Sequence, residues 1–142
     1  MGSDIGSSFK WIQARAESDY RGGMRSLVVK LTAGIEALER ANQAFTVAST
    51  AAGAGVQVSM WLTGDAVWFA VPGRAELVEL PMAAPLAELR DGVLALGTMT
   101  ACTQCVGRRE LGQADLLPGV RIAGAVSFIE ESLADGVQAL VY

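Results

Sequence analysis

Leu27-Val28-Val29-Lys30-Leu31, the turn Thr32-Ala33-Gly34, and the alanine-rich segment that runs on to Gly53 decide the fold. The first five residues form a short apolar run rich in β-branched side chains, which suits a strand buried within a parallel sheet. After the turn, apolar residues recur at Leu38, Ala41, Ala44/Phe45, Ala48 and Ala51/Ala52, the 3.6-residue period of a helix. Glu36 and Glu39 stand in its first turn, where the helix dipole favours negative charge, and Gly53 and Gly55 end it. A second strand follows at once in Val56-Gln57-Val58-Ser59-Met60-Trp61-Leu62. Strand, helix and strand in this order make a right-handed βαβ unit.

The alternation continues toward the C-terminus. Thr63 caps a short helix over residues 64–70, which Pro72-Gly73 breaks. Residues 74–84 read as loop, residues 86–90 as a short helix, and Val93-Leu94-Ala95-Leu96 as the third strand. A short helix through Arg109 follows the cysteine pair. Val120-Arg121-Ile122-Ala123 makes a fourth strand, residues 126–133 a helix, and residues 137–141 the last strand. The expectation is one α/β domain over residues 26–142, a mostly parallel five-stranded sheet flanked by helices in three layers. Residues 1–25 stand apart as an N-terminal extension, mobile or vector-derived, with a short helix around residues 11–16.

Composition narrows the chemistry. The 142 residues are 51% hydrophobic and 18% charged, with two cysteines and no histidine. Without histidine there is no Ser-His-Asp or Cys-His pair and no imidazole metal ligand or near-neutral base. Eleven basic against fifteen acidic residues give a net charge of −4, a poor footprint for direct nucleic-acid binding. No apolar run is long enough to span a bilayer and no secretory signal is visible, so no membrane contact is expected. Two cysteines do not make a disulfide scaffold, and a reducing cytoplasm is the expected compartment. A mean hydropathy of +0.35 calls for buried sheet or subunit contact. The broad apolar stripe of the alanine-rich helix, widened by Ala37, Val47 and Ala52, is read as that subunit contact.

Cys102 and Cys105 form a C-x-x-C at a strand-to-helix junction, beyond the carboxyl end of a strand where α/β folds gather reactive residues. A helix N-terminus favours thiolate. Arg108 and Arg109 lie three and four residues past Cys105, where both guanidinium groups would favour a thiolate or persulfide anion. The bland alternative is a pair of small buried hydrophobes. A zinc site would need ligands the chain lacks, and no metal or cofactor is called for. A thioredoxin-type site normally follows the first strand, whereas this pair follows the third. Lys30 near the end of its strand either faces the same crevice or snorkels to water. Asp65 either bonds near the site or complements a helix dipole. Trp68 with Phe69 either lines the pocket or packs in the core, where Trp61 is also placed. Gly34 before a helix is only a weak phosphate-cradle signal, since G-x-G-x-x-G and G-K-[ST] are absent.

Several stretches together resemble the DsrE/DsrF-like family, which includes the TusD and YchN branches. They are V-x-V-x-x-W-L-T-G-D from Val56, A-C-T-Q-C-V-G-R-R-E-L from Ala101, D-L-L-P-G-V-R-I-A-G from Asp115 and E-E-S-L-A-D-G-V-Q-A-L-V-Y from Glu130. The resemblance implies a compact α/β domain that assembles as a homo-oligomer, from dimer to hexamer. It also implies a cysteine persulfide carried on Cys102 between sulfur donor and acceptor proteins or small thiols. The family's Arg-Gly after the cysteine matches Arg109 and then Glu110, so the glycine is absent here. The leading expectation is a sulfur carrier or sulfurtransferase-like protein, with Cys105 able to resolve the persulfide as a disulfide. A C-x-x-C oxidoreductase or redox sensor, and a non-enzymatic oligomeric scaffold, are the alternatives.

Overall fold

The computed structural model describes Lys10 and residues 25–142, and the helix expected around residues 11–16 lies outside them. Strands β1 (Ser26–Leu31), β2 (Gln57–Leu62), β3 (Thr98–Cys102), β4 (Val120–Ala123) and β5 (Val137–Val141) form one sheet in the order β4-β3-β2-β1-β5. Every pairing in it is parallel. Helices α1 (Leu38–Gly53), α2 (Leu86–Leu96), α3 (Thr103–Arg108) and α4 (Ala125–Ser132) connect the strands, with a 3-10 segment over Gly64–Ala70.

The sheet is covered on both faces, as the sequence predicts. Val29, Leu31, Val58, Met60, Leu62, Met99 and Ala101 face α1 and α2 and bury with Phe45, Ala48, Leu86 and Val93. Alternate residues of the same strands, Val28, Lys30, Ser59, Trp61 and Thr100, point to the opposite face. There α4 crosses the sheet: Phe128 meets Trp61 edge-on at 5.5 Å, and Glu131 accepts hydrogen bonds from Ser59 Oγ and Trp61 Nε1, both at 2.8 Å. Arg121 pairs with the same carboxylate and donates to the buried Thr100 hydroxyl. Burial pushes the Glu131 carboxyl up, but the bonds from Trp61, Ser59 and Arg121 outweigh it and hold it below its ordinary value.

One expectation needs correction. Residues 93–96 are not the third strand but the last turn of α2, which runs through Gly92. Leu86, Arg90 and Val93 fall on one buried helical face, so the apolar cluster has period 3.6 and not 2. Gly92 marks a close crossing of helices, because a Cβ there would stand 3.3 Å from Ser49 Oγ of α1. The true strand, Thr98-Met99-Thr100-Ala101-Cys102, has threonine at two of its five positions, and its buried Thr100 is satisfied by Arg121. Most of the apolar stripe of α1 packs on the sheet and on α2, while Val47 is half-buried and Glu39, Arg40, Gln43 and Thr46 face out.

Arg90 itself is 3% exposed and pairs with Glu76 and Asp91, which ties the segment after the 3-10 turn to α2. Gly34 is no phosphate cradle, since its N–H donates to the Glu36 carboxylate at 2.9 and 3.0 Å. Its missing side chain has another cause: a Cβ would lie 2.7 Å from both Cβ and the carbonyl oxygen of Asp65. Gly34→Ala is therefore expected to destabilise the fold by about 1–3 kcal/mol, the usual cost of overpacking, measurable as a lower urea midpoint. Glu110, standing where the family has glycine, adopts φ +56°. Glu110→Gly is expected to raise stability by about 1 kcal/mol, since left-handed backbone penalises a Cβ; an unchanged thermal midpoint would contradict this.

Candidate functional site

The connections around the sheet fix where a crevice opens. The segments leaving β1, β2 and β3 pack on the α1/α2 face, whereas the segment leaving β4 becomes α4 on the opposite face. The chain therefore parts between the carboxyl ends of β3 and β4, the switch point at which open α/β sheets hold ligands. Cys102 ends β3 and Gly124 follows β4, paired strands whose Cys102 and Ala123 are in register.

A cavity of about 470 Å³ occupies this parting. Cys102, Thr103, Gln104 and Cys105 line it from one side and Gly124, Ala125 and Phe128 from the other, with Lys30, Trp61 and Thr63 between. Both thiols are free. Cys102 is partly exposed at the N-cap of α3, and Cys105 is buried one turn on, where its Sγ accepts the Gly64 N–H at 3.1 Å.

The two sulfurs are electrostatically unequal. Burial pushes the Cys102 thiol up, but four influences outweigh it: the Cys105 N–H, the Cys105 thiol, the Gln104 N–H and the charge of Lys30. The net pKa falls below that of an ordinary thiol. Burial also pushes Cys105 up; the Gly64 N–H and the charge of Arg108 oppose this, whereas its bond to Cys102 and the charge of that neighbour add to it. Its net pKa rises. Of the two ways the pair can lose a single proton, the favoured one thus leaves the thiolate on Cys102 and the proton on Cys105.

The other expected site residues separate. Lys30 joins the cavity, with its ammonium 4.7 Å from the centre of the Phe128 ring. Arg109 turns away from Cys102: Nε and Nη2 donate to Asp65 at 3.1 and 2.6 Å, and Nη1 donates to the Cys105 carbonyl at 2.9 Å. It braces α3 against the 3-10 segment. Asp65 reaches the site only through this brace. Trp68 lies elsewhere, stacked under Arg74 at 4.4 Å beside a separate cavity of about 400 Å³. Arg108 is exposed, and its charge acts on Cys105.

Sequence reasoning missed Thr63, Thr103, Gln104, Gly124, Ala125 and Phe128 as cavity residues and placed Trp61 in the core or an interface. A signal for Trp61 was present: Ser59, Trp61 and Thr63 alternate along β2 and its exit, which marks a face that is not purely apolar. Among the described residues, no group of three or more His, Cys, Asp or Glu is arranged to hold a metal ion.

Comparisons with known proteins agree with this architecture. The Escherichia coli ychN protein superposes with a TM-score of 0.63 at 18% identity, over 84% of this chain and all of that one. A Methanobacterium thermoautotrophicum protein of unknown function superposes with a TM-score of 0.59 at 13% identity, over 83% of this chain and 99% of that one. At these identities the likeness is one of fold. No match is found among curated proteins. The model of the DsrE/DsrF-like family matches residues 25–141, nearly the whole described chain, and the protein belongs to that family.

Proposed function

We propose that this protein is a sulfur carrier that holds a persulfide on Cys102 and passes its outer sulfur to an acceptor. The observation that carries this reading is the unequal pair: a partly exposed, activated Cys102 opening on a cavity and a buried Cys105 that keeps its proton. Family membership is consistent with a role in sulfur relay.

In the loading step the Cys102 thiolate attacks the outer sulfur of a donor persulfide, R–S–SH. A new S–S bond forms on Cys102, the donor S–S bond breaks, and the donor leaves as the thiolate RS⁻. In the unloading step an acceptor thiolate attacks the outer sulfur of Cys102–S–SH. The acceptor becomes the persulfide and Cys102 returns as thiolate. A side route exists if Cys105 loses its proton: its thiolate attacks the inner sulfur, forms a Cys102–Cys105 disulfide and expels HS⁻. The raised pKa of Cys105 slows that route near neutral pH and protects the cargo. Neither step needs an imidazole, because a thiolate is both nucleophile and leaving group.

That both thiols line one cavity, one helical turn apart, also favours a second reading, a dithiol/disulfide oxidoreductase or redox sensor, in which the disulfide is the working product. Partners in the first reading are donor and acceptor proteins or small thiols, in a reducing cytoplasm. No helix among the described residues is long and apolar enough to cross a membrane. Self-association from dimer to hexamer is supported by the exposed stripe of Val126 and Ile129 on α4 and Leu133 at its C-terminal cap. This helix also roofs the cavity.

Mass spectrometry after incubation with a small persulfide tests the proposal. A gain of about 32 Da is expected on the wild type, lost in Cys102→Ser and longer-lived in Cys105→Ser. A loss of about 2 Da with no sulfur adduct under any condition would support the redox reading instead. The pH profile of Cys102 alkylation gives a second test. Because its pKa is lowered, reactivity is expected to persist below about pH 8.5, the ordinary thiol value, and to vanish only as pH falls through the lowered one. A midpoint at or above the ordinary value would contradict the activated thiolate.

A further inference from the structure

Lys30 is a cation in the middle strand row of a covered sheet face. In register across the sheet it stands beside Trp61 on one side and Val141 on the other. A snorkelling lysine buries its stem and sends its ammonium to bulk water. This one ends over the Phe128 ring, inside the cavity that Cys102 opens on. A ring face attracts an ammonium without neutralising it, so the full positive charge remains available to a ligand.

Apart from the Cys102 thiolate that it favours, no group lining the cavity opposes that charge. No aspartate or glutamate lines it, and no carboxylate among the described residues forms a salt bridge with Lys30. Glu131 of α4, one turn beyond Phe128, is occupied by Ser59, Trp61 and Arg121. Arg109 is occupied by Asp65, and Arg108 lies exposed outside the cavity lining. The molecule as a whole carries a net charge of −4, so a cation in a crevice lined by no carboxylate runs against its overall charge. The volume, about 470 Å³, is that of a small-molecule site.

We propose that Lys30 is the specificity-determining residue of the Cys102 cavity, and that the sulfur compound it admits is a small anion, a thiol or persulfide bearing a carboxylate or sulfonate a few atoms from its sulfur. Lys30 would pair with that acidic group while the sulfur reaches Cys102. The phenyl and indole walls of Phe128 and Trp61 would pack on the carbon atoms between. The identity of the cargo rests on the sulfur-carrier reading, but the charge preference does not.

The preference is measured without any sulfur transfer. In Cys105→Ser protein, Cys102 is the one remaining thiol. Its rate of alkylation is compared for anionic iodoacetate and neutral iodoacetamide, each normalised to free cysteine. Lys30→Gln is expected to lower the iodoacetate-to-iodoacetamide ratio about fivefold, the effect of one unit charge some 4 Å away in a water-like dielectric. Lys30→Arg is expected to keep the ratio, and added salt to lower it in the parent protein. An unchanged ratio in Lys30→Gln overturns the proposal. So does an equal fall in both rates, which would mean that Lys30 acts only on the thiolate. If Lys30→Gln does not fold, a parent ratio that stays flat between low and high salt overturns it. A protein that shows the charge preference but never gains a sulfur adduct would overturn the carrier reading and leave this one standing.

Discussion

The site exists because one crossover changes face. Three successive connections lie on the α1/α2 side while the sheet grows from β1 to β4. To place β5 beside β1 the chain must return across the whole sheet, and the handedness of parallel crossovers requires that return on the other face. The two paths leave adjacent strands in opposite directions, and the gap between them cannot be filled by either. Cys102 stands at the lip of that gap, and the α4 residues Ala125 and Phe128 form its far wall.

The gap holds no imidazole, since the sequence has no histidine. The proton relation lies between the two thiols themselves, one exposed to the cavity and one held by the core. Val106 and Cys105 belong to the core cluster, so α3 is anchored by its buried side, and the Arg109–Asp65 pair holds its outer end. Geometry at Cys102 is thus set by packing, and electrostatics by two peptide N–H groups, a thiol and a lysine. The arginines, which by spacing looked like the stabilising charges, serve as a brace and as a remote influence on Cys105.

Much of this was legible in the sequence. Strands β1, β4 and β5 announce themselves by short apolar, β-branched runs, and α1 by its period, because each pattern is local to its own element. β3 was misplaced because local apolarity points to 93–96, while the strand's own threonine is made tolerable by a partner from β4 far along the chain. Such compensation is invisible to a window of neighbours. The cysteine pair and its place at a strand end stood out because they sit in a local pattern, whereas the pattern around Lys30 fits a crevice and a snorkelling lysine alike. Whether Arg109 faces Cys102 or Asp65 depends on which of two loops comes nearer, and no spacing rule decides that. Trp68 fell on the wrong side of the 3-10 segment because that segment turns with three residues per turn and swings its side chains off the helical wheel expected for it.

Helix α4 is the one wall of the cavity with no fully buried residue. Its hold on the sheet is polar and aromatic: one carboxylate received by three partners, and one phenyl ring wedged between an indole and an ammonium. Elements with few buried apolar contacts open at a lower free energy than the global unfolding of the domain. The roof over Cys102 is therefore the most loosely fastened part of the cavity, while the thiols beneath it stand on the most firmly packed strands. Access to the sulfur is in this sense a property of local stability, and anything that rests on α4 changes how often the cavity is open.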